Sequence, residues 1–342
     1  MINIIGSTLP IEIYSQSERN AISSTWFDGP LSFFEKLDAD YISFAADGNK
    51  GTVKAIGPKS NFASSSTTVS LLSGLPIGIE YVGGGPTLRV DEDTIAMVQH
   101  FERWPAGGSL NFWSSFGVAK SLDEGESWEC LGEMLTMSYD YNPAATQYQQ
   151  DMQGGPIVPI GLYYYIYFRE YIGPINWDDS YWSVARCLIT DFNTAILSDI
   201  TPTWEKWQGG NSWGETNTGY PLNIPNTLHW LDVWVDSTYN MLIASCLKRI
   251  ADDIDEQHIM ALTSANGIDW TEPQQISYEN NPGGVAAGYS GLCPEEITIP
   301  RVGTGPWEIF YTFGTFWGSV IINSQQLLFG NSSGAAFKRA VL

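Results

Sequence analysis

GGPTLRVDEDTIAMVQHFE, residues 84–102, reads as one β-hairpin: a Gly/Pro opening, a short strand, a tight turn and a second, more apolar strand. The plan returns along the chain. DGPLSFFEKLDADYISFAA (28–46) and GGPIVPIGLYYYIYFRE (154–170) are close copies, while LHWLDVWVDSTYNMLIAS (228–245) and CPEEITIPRVGTGPWEIFYTFG (293–314) are looser ones. Third strands follow as FGVAKS (116–121), WSVARC (182–187), HIMALTS (258–264) and WGSVIINS (317–324). Their imperfect alternation suits sheets packed on both faces. Five copies at intervals of roughly 55 to 75 residues predict five small sheets. The expected fold is all-β: a five-bladed β-propeller with about four strands per blade, in a single domain over 1–342. Ring closure hides sheet edges, so IEIYS (11–15) is expected to complete the C-terminal blade. The best helical candidate is a short one, Arg249 to Gln257.

Composition agrees. In 342 residues there are 14 Trp, 17 Tyr and 15 Phe, with 34 Gly and 18 Pro, which favours short strands and tight turns over long helices. The 38 acidic against 16 basic side chains give a formal charge of -22. Such a surface repels phosphate backbones and anionic membranes, which argues against nucleic acid or membrane partners. No window is apolar enough to span a bilayer. The opening MINIIGSTLP lacks a basic region followed by an apolar run, which leaves a cytoplasmic protein, or a secreted or periplasmic one whose signal was removed. Cys130, Cys187, Cys246 and Cys293 have no metal-type spacing and read as buried free thiols.

Two short motifs mark turns. SLDEGESW (121–128) resembles the Asp-box found in outer hairpins of sialidases and other propellers, and SANGIDW (264–270) is a shortened copy. Asp123 suits turn N–H groups, Gly125 a positive φ and Trp128 packing back on the blade. These motifs bear on the fold and carry no chemistry.

Function is expected where the innermost strands converge. The repeats place Asp28, Glu80, Asp151, His229 with Asp232, and Glu295 with Glu296 at the five strand openings. A ring of acids suits a reaction that protonates a leaving oxygen beside an ionised carboxylate. The run His100-Phe101-Glu102-Arg103-Trp104 and the pair Arg169-Glu170 end second strands and bring acid, base and ring together. Aromatic and amide-rich segments at 138–153, 171–182 (with Trp177) and 203–215 (with Trp204, Trp207 and Trp213) suit sugars, or serve to pack blades. His100, His229 and His258 have no zinc spacing. No P-loop, dinucleotide fingerprint or nucleophile elbow occurs.

The DGP, GGP and YYYIYFRE hairpins resemble those of five-bladed glycoside hydrolases of the arabinanase, xylosidase and fructosidase type. The resemblance implies an enzyme acting on an oligo- or polysaccharide. It implies Asp28 as base or nucleophile, Asp151 as the orienting or pKa-tuning acid, and Glu295 or Glu102 as proton donor. The family's Asp-Pro is Asp28-Gly29-Pro30 in this chain. Substrate contacts are expected from Glu80, His100, Arg103, Trp104, Arg169, Trp177, His229 and Asp232. No cofactor is required, though one structural Ca²⁺ in the central channel is compatible with the architecture. A monomer or small homo-oligomer is expected. Two other readings stand beside it: a glycan-binding propeller without catalysis, and a polysaccharide lyase using Tyr139, Tyr141 or His229 near Arg103, Arg169 or Arg186.

Overall fold

The computed structural model describes residues 2–7, 11–22, 28–48, 51–105, 112–138, 140–144, 149–171, 180–215, 218–250, 253–276, 286–314 and 320–331. Five antiparallel blades follow one another. Blade 1 is Ser32–Leu37, Asp40–Asp47, Gly51–Pro58 and Ser66–Ser73, and blade 2 is Tyr81–Arg89, Ile95–Arg103, Phe112–Ser121 and Ser127–Leu135. Blade 3 is Ile157–Ile160, Tyr163–Tyr171, Ser180–Leu188 and the outer pair Glu205–Gly209 and Ser212–Gly214. Blade 4 is Leu228–Asp236, Met241–Ile250, Asp253–Ser264 and Gln274–Gln275. Blade 5 combines Ala286–Cys293, Glu308–Gly314 and Val320–Asn331 with two strands from the other end of the chain, Ile2–Ser7 and Ile11–Tyr14.

The expected closing strand is therefore present: Ile11 lies opposite Ser324 and Glu12 opposite Asn323. At the outer edge of blades 1 and 2, Ser66–Ser73 runs parallel to Ser127–Leu135, joining the two blades in one hydrogen-bonded sheet.

The apolar core lies between blades, which is why the strands bury both faces. Phe33, Phe62, Trp234, Trp307 and Phe310 fill the space among blades 1, 4 and 5. Val158, Tyr167, Trp182 and Trp270 fill the space between blades 3 and 4. The two turn motifs serve this packing. Asp123 accepts from the Ser127 N–H and Oγ at 2.9 and 2.6 Å, Gly125 sits at φ +83°, and buried Trp128 meets Phe44 of blade 1 edge-on at 5.8 Å. In the second, Asn266 Oδ1 accepts from the Ile268 and Asp269 N–H groups, and Trp270 meets Tyr167 of blade 3 at 5.6 Å. All four cysteines are buried and free.

Two expectations are corrected. Arg249 to Gln257 is not a helix: Arg249 lies opposite Gln257 across a β-hairpin. Local helix formers yield there to pairing across the hairpin. Among the described residues the helices are instead Gln16–Ile22 and Ile189–Leu197, with a 3-10 turn at Lys59–Asn61.

Blade 5 also opens seven residues earlier than the repeat suggested, at Ala286 rather than Cys293. The run AAGYSGLC has too few large side chains to read as a strand, yet the axis requires small ones. A Cβ on Gly291 would stand 2.1 Å from the Leu31 carbonyl oxygen of blade 1. What looked like the first strand is an inserted hairpin, Glu296–Ile299 and Val302–Thr304, lying along the far end of Leu228–Asp236.

The tip of that hairpin places Arg301 inside the ring, fully buried at φ +68°. Its guanidinium pairs with Asp232 of blade 4, donates to Ser32 Oγ of blade 1 and the Ile157 carbonyl of blade 3, each at 3.2 Å, and stacks over Trp234. Asp232 Oδ2 in turn accepts from the Leu292 N–H of blade 5 at 2.7 Å. One ion pair thus ties four blades together.

Candidate active site

All five blades meet at the rim where the innermost strands begin. The Asp28 N–H donates to the Ala46 carbonyl, fixing the residue just before blade 1's first strand. Both of its carboxylate oxygens accept phenolic protons: Oδ2 from Tyr81 of blade 2 at 3.2 Å and Oδ1 from Tyr289 of blade 5 at 3.0 Å. Burial raises the Asp28 pKa, and the two phenols work against that rise.

Blade 2 carries His100, Glu102 and Trp104 at the end of its second strand. His100 is buried, with Nε2 at 3.2 Å from Glu102 Oε1 and 3.8 Å from Asp151 Oδ1. The two carboxylates that share this nitrogen can be no farther apart than those two distances laid end to end. Glu102 Oε2 accepts the Trp104 indole N–H at 2.7 Å, and Glu80 accepts the Trp104 backbone N–H at 3.0 Å.

Blade 3 delivers Asp151 and Gln153 from the turn before its first strand. Asp151 Oδ1 accepts the Gln153 N–H at 2.7 Å. Gln153 sits at φ +67°, a costly conformation for a residue with a Cβ, of the kind that collects at functional sites. That conformation lets one residue serve three neighbours. Its carbonyl faces His100 Nδ1 at 3.2 Å, its side-chain oxygen accepts the Trp230 N–H at 2.6 Å, and its amide nitrogen lies 2.9 Å from His229 Nδ1. Trp230 of blade 4 is itself at φ +55° and meets Tyr289 edge-on at 4.8 Å. Buried Arg169 donates to Ser180 Oγ and the Leu228 carbonyl and lies 2.9 Å from His229 Nδ1. Glu170, next to it, is buried on Lys206 and also accepts the Ser138 and Gly219 N–H groups, pinning two loops beside the rim.

These surroundings set the charges. Burial pushes Asp151 up to about 6; the charges of His100 and Arg169 pull against that, and Glu102 adds to it. Burial alone would lower the His100 pKa, but the Glu102 hydrogen bond and the charges of Asp151 and Glu102 outweigh it and raise it. Asp28, His100 and Asp151 all hold their protons more tightly than the same groups do in water.

The structure brings together Asp28, Glu80, His100, Glu102, Trp104, Asp151, Arg169 and His229. It does not bring Glu295, which lies at the opposite end of blade 5's first strand, ion-paired to Lys59 at 2.9 Å, with its carbonyl bonded to Tyr41. Asp232 sits at the channel, spent on Arg301. Arg103 pairs with Glu133 and stacks on Trp113 and Tyr141 within blade 2, and Arg186 pairs with Glu205. Trp204 and Trp207 are buried in blade packing. Trp177 and Tyr139 lie outside the described residues. Sequence reasoning missed Tyr81, Gln153, Trp230 and Tyr289. Gln153 follows Asp151 by two positions and could have been flagged by that turn, whereas Tyr289 sits in a strand with no apolar signal.

Among the described residues no group of three or more His, Cys, Asp or Glu is arranged to hold a metal ion, and no helix is long and apolar enough to cross a membrane. A cavity of 540 Å³ lies on the opposite rim, lined by Lys36, Leu88, Arg89, Pro159, Ile297 and Ile299, away from the converging polar groups.

No protein-family model matches the chain, and no curated protein resembles it in sequence. Solved structures do resemble it in fold. The catalytic domain of a GH62 alpha-L-arabinofuranosidase from Coprinopsis cinerea superposes with a TM-score of 0.51 at 10% identity, over 95% of this chain and 97% of that one. An exo-1,5-alpha-L-arabinanase from a bovine ruminal metagenomic library gives 0.52 at 10%, over 91% and 98%. A family 117 glycoside hydrolase of the marine bacterium Zobellia galactanivorans gives 0.52 at 9%, over 95% and 91%. The chain is a five-bladed β-propeller whose architecture resembles that of several glycoside hydrolase families along nearly its whole length.

Proposed function

We propose that the protein is a glycoside hydrolase acting on an oligo- or polysaccharide. The observation that supports it is the gathering of three carboxyl groups from three blades, Asp28, Glu102 and Asp151, around one buried imidazole at the rim where all innermost strands begin. Glycosidic cleavage needs one carboxyl that holds a proton and one that does not, and carboxyls gathered this closely do not all ionise together.

In this reading Glu102 gives its proton to the departing glycosidic oxygen, and Asp28 serves as the base or nucleophile on the other side of the bond. Asp151 is the positioning acid whose charge tunes the others. Water adds across the bond, one hydrogen ending on the leaving sugar and the hydroxyl on the other: as base, Asp28 takes the water's proton; as nucleophile, it is displaced from the sugar by water whose proton returns to Glu102. Trp104, Trp230 and Tyr289 offer flat faces for sugar C–H groups, and Glu80, Arg169 and His229 offer polar contacts. No cofactor takes part.

The test is reducing-end release from a panel of plant, fungal and bacterial glycans, comparing wild type with Asp28→Asn and Glu102→Gln. Cleavage by wild type that drops at least about a hundredfold in both variants, with melting transitions retained, supports the reading. Equal glycan binding by all three proteins without cleavage replaces it with a glycan-binding propeller, and unsaturated uronate products replace it with a lyase.

A further inference from the structure

His100 is locked between partners that cannot all be satisfied by a neutral ring. Its Nδ1 faces the Gln153 carbonyl oxygen at 3.2 Å. A carbonyl only accepts, so Nδ1 carries a hydrogen. Its Nε2 faces Glu102 Oε1 at 3.2 Å and Asp151 Oδ1 at 3.8 Å. A neutral imidazole with its hydrogen on Nδ1 would turn a bare lone pair toward two carboxylates. Such an arrangement is repulsive at both Nε2 contacts, around a buried ring. One more proton therefore belongs to the group, on Nε2 or on one of the two carboxyls.

We propose that His100 is a positioning residue that keeps one proton shared with Glu102 and Asp151, so that below the midpoint of that proton the two acids do not both face a bare Nε2 lone pair as carboxylates. Gln153 enforces the arrangement from both sides: its carbonyl fixes the tautomer of His100, and its N–H holds the Asp151 oxygen that faces Nε2.

The charged and titratable groups facing this trio come from every neighbouring blade. Arg169 of blade 3 acts on Asp151, Asp28 of blade 1 acts on His100, and the Tyr81 ring of blade 2 meets the imidazole at 6.3 Å. Phe112 and Trp230 close the remaining sides with aromatic rings. The Nε2 contact to Glu102 Oε1, at 3.2 Å, is shorter than the 3.8 Å to Asp151 Oδ1, which makes Glu102 the nearer partner for the shared proton.

The use of that proton rests on the hydrolase reading; its existence does not. The shared proton is the one spent: it passes from the His100 Nε2 side through Glu102 to the leaving oxygen and leaves the imidazole neutral. The proton shed by water goes to Asp28 and returns through solvent to the His100–Glu102 pair before the next turnover, so none is created or lost.

The chain contains three histidines, so imidazole nitrogen shifts of the ¹⁵N-labelled protein can be followed across the pH range, with His100 assigned by His100→Gln. We expect Nδ1 of His100 to stay protonated throughout and Nε2 to titrate above the ordinary histidine value of about 6.5. Glu102→Gln and Asp151→Asn should each move that midpoint down by about one unit or more, since each removes a nearby opposite charge. A deprotonated Nδ1 in the neutral ring, or a midpoint that neither variant moves, overturns the proposal. In the cleavage assay His100→Gln should lose activity mainly on the alkaline side of the profile. A uniform loss at all pH values marks a merely structural role and also overturns it. Nitrogen shifts as expected with no glycan cleaved leave the shared proton standing and remove the hydrolase reading instead.

Discussion

Asp151→Asn should make the protein more stable at pH 8 while damaging its site. Asp151 is 2% exposed and its pKa is pushed up from 3.8 to about 6, chiefly by burial. A carboxyl with a raised native pKa binds its proton more tightly when folded than when unfolded. Its ionisation therefore costs nothing below the unfolded value, and the cost grows as pH rises through the interval between the two. Above the native value the full cost persists. About two units at 1.36 kcal/mol each amount to about 3 kcal/mol. That figure already includes the opposing pull of His100 and Arg169, because their charges are among the causes that set the value.

Asparagine fills the same space, keeps an oxygen for the Gln153 N–H and carries no charge to desolvate. Urea unfolding of the two proteins at pH 8 should show the variant ahead by up to about 3 kcal/mol. Near pH 4 the gap should shrink to well under 1 kcal/mol, since the wild-type carboxyl is then protonated in the native state and only about half ionised in the unfolded chain. A variant no more stable than wild type at pH 8, or ahead by the same margin at both pH values, refutes the reasoning. The first result would mean the ionised carboxylate is well compensated where it sits; the second would mean the gain has nothing to do with its proton. A protein that tolerates such a cost keeps the residue for use, not for folding.

Arg301→Met should cost about 3 to 5 kcal/mol in the same unfolding assay, because it leaves Asp232 charged and buried without its partner. Adding Asp232→Asn should recover part of that loss, and a double variant as unstable as the sum of both single ones would show that the pair is not what bolts the ring. Tyr289→Phe removes one of the two phenolic bonds that hold the Asp28 pKa down. Its proton should then be harder to remove, so the acid limb of the cleavage profile should move to higher pH with the alkaline limb in place. An unmoved acid limb would show that Asp28 is not the group that must be ionised.

Much of the fold was legible because propeller blades are written locally. The hairpins at 28–46, 84–102 and 154–170 carry their own turn chemistry and apolar alternation, and each folded where it was read. The motifs at 121–128 and 264–270 bond within a few residues of themselves, so they too are visible without the rest of the chain. Asp28, His100, Glu102 and Asp151 could be named as candidates because each sits at a recognisable end of a strand.

The errors fall where distance in sequence matters. The Ala/Gly-rich strand Ala286–Cys293 carries no apolar signal, because what selects its small residues is the approach of Leu31, more than 250 positions earlier. Glu295 looked like a strand opening only while the hairpin containing Arg301 was taken for the strand itself.

By itself, then, the chain determined a repeating β-hairpin, the number of repeats, and an acidic, aromatic-rich class of site; local turn chemistry and alternation suffice for these. Only the closed ring decided which strand ends share a rim. It put Tyr289 on Asp28, Gln153 between two histidines, and Arg301 on Asp232, Ser32 and the Ile157 carbonyl. Those contacts join residues from different blades, and their geometry exists only once five sheets have closed around one axis.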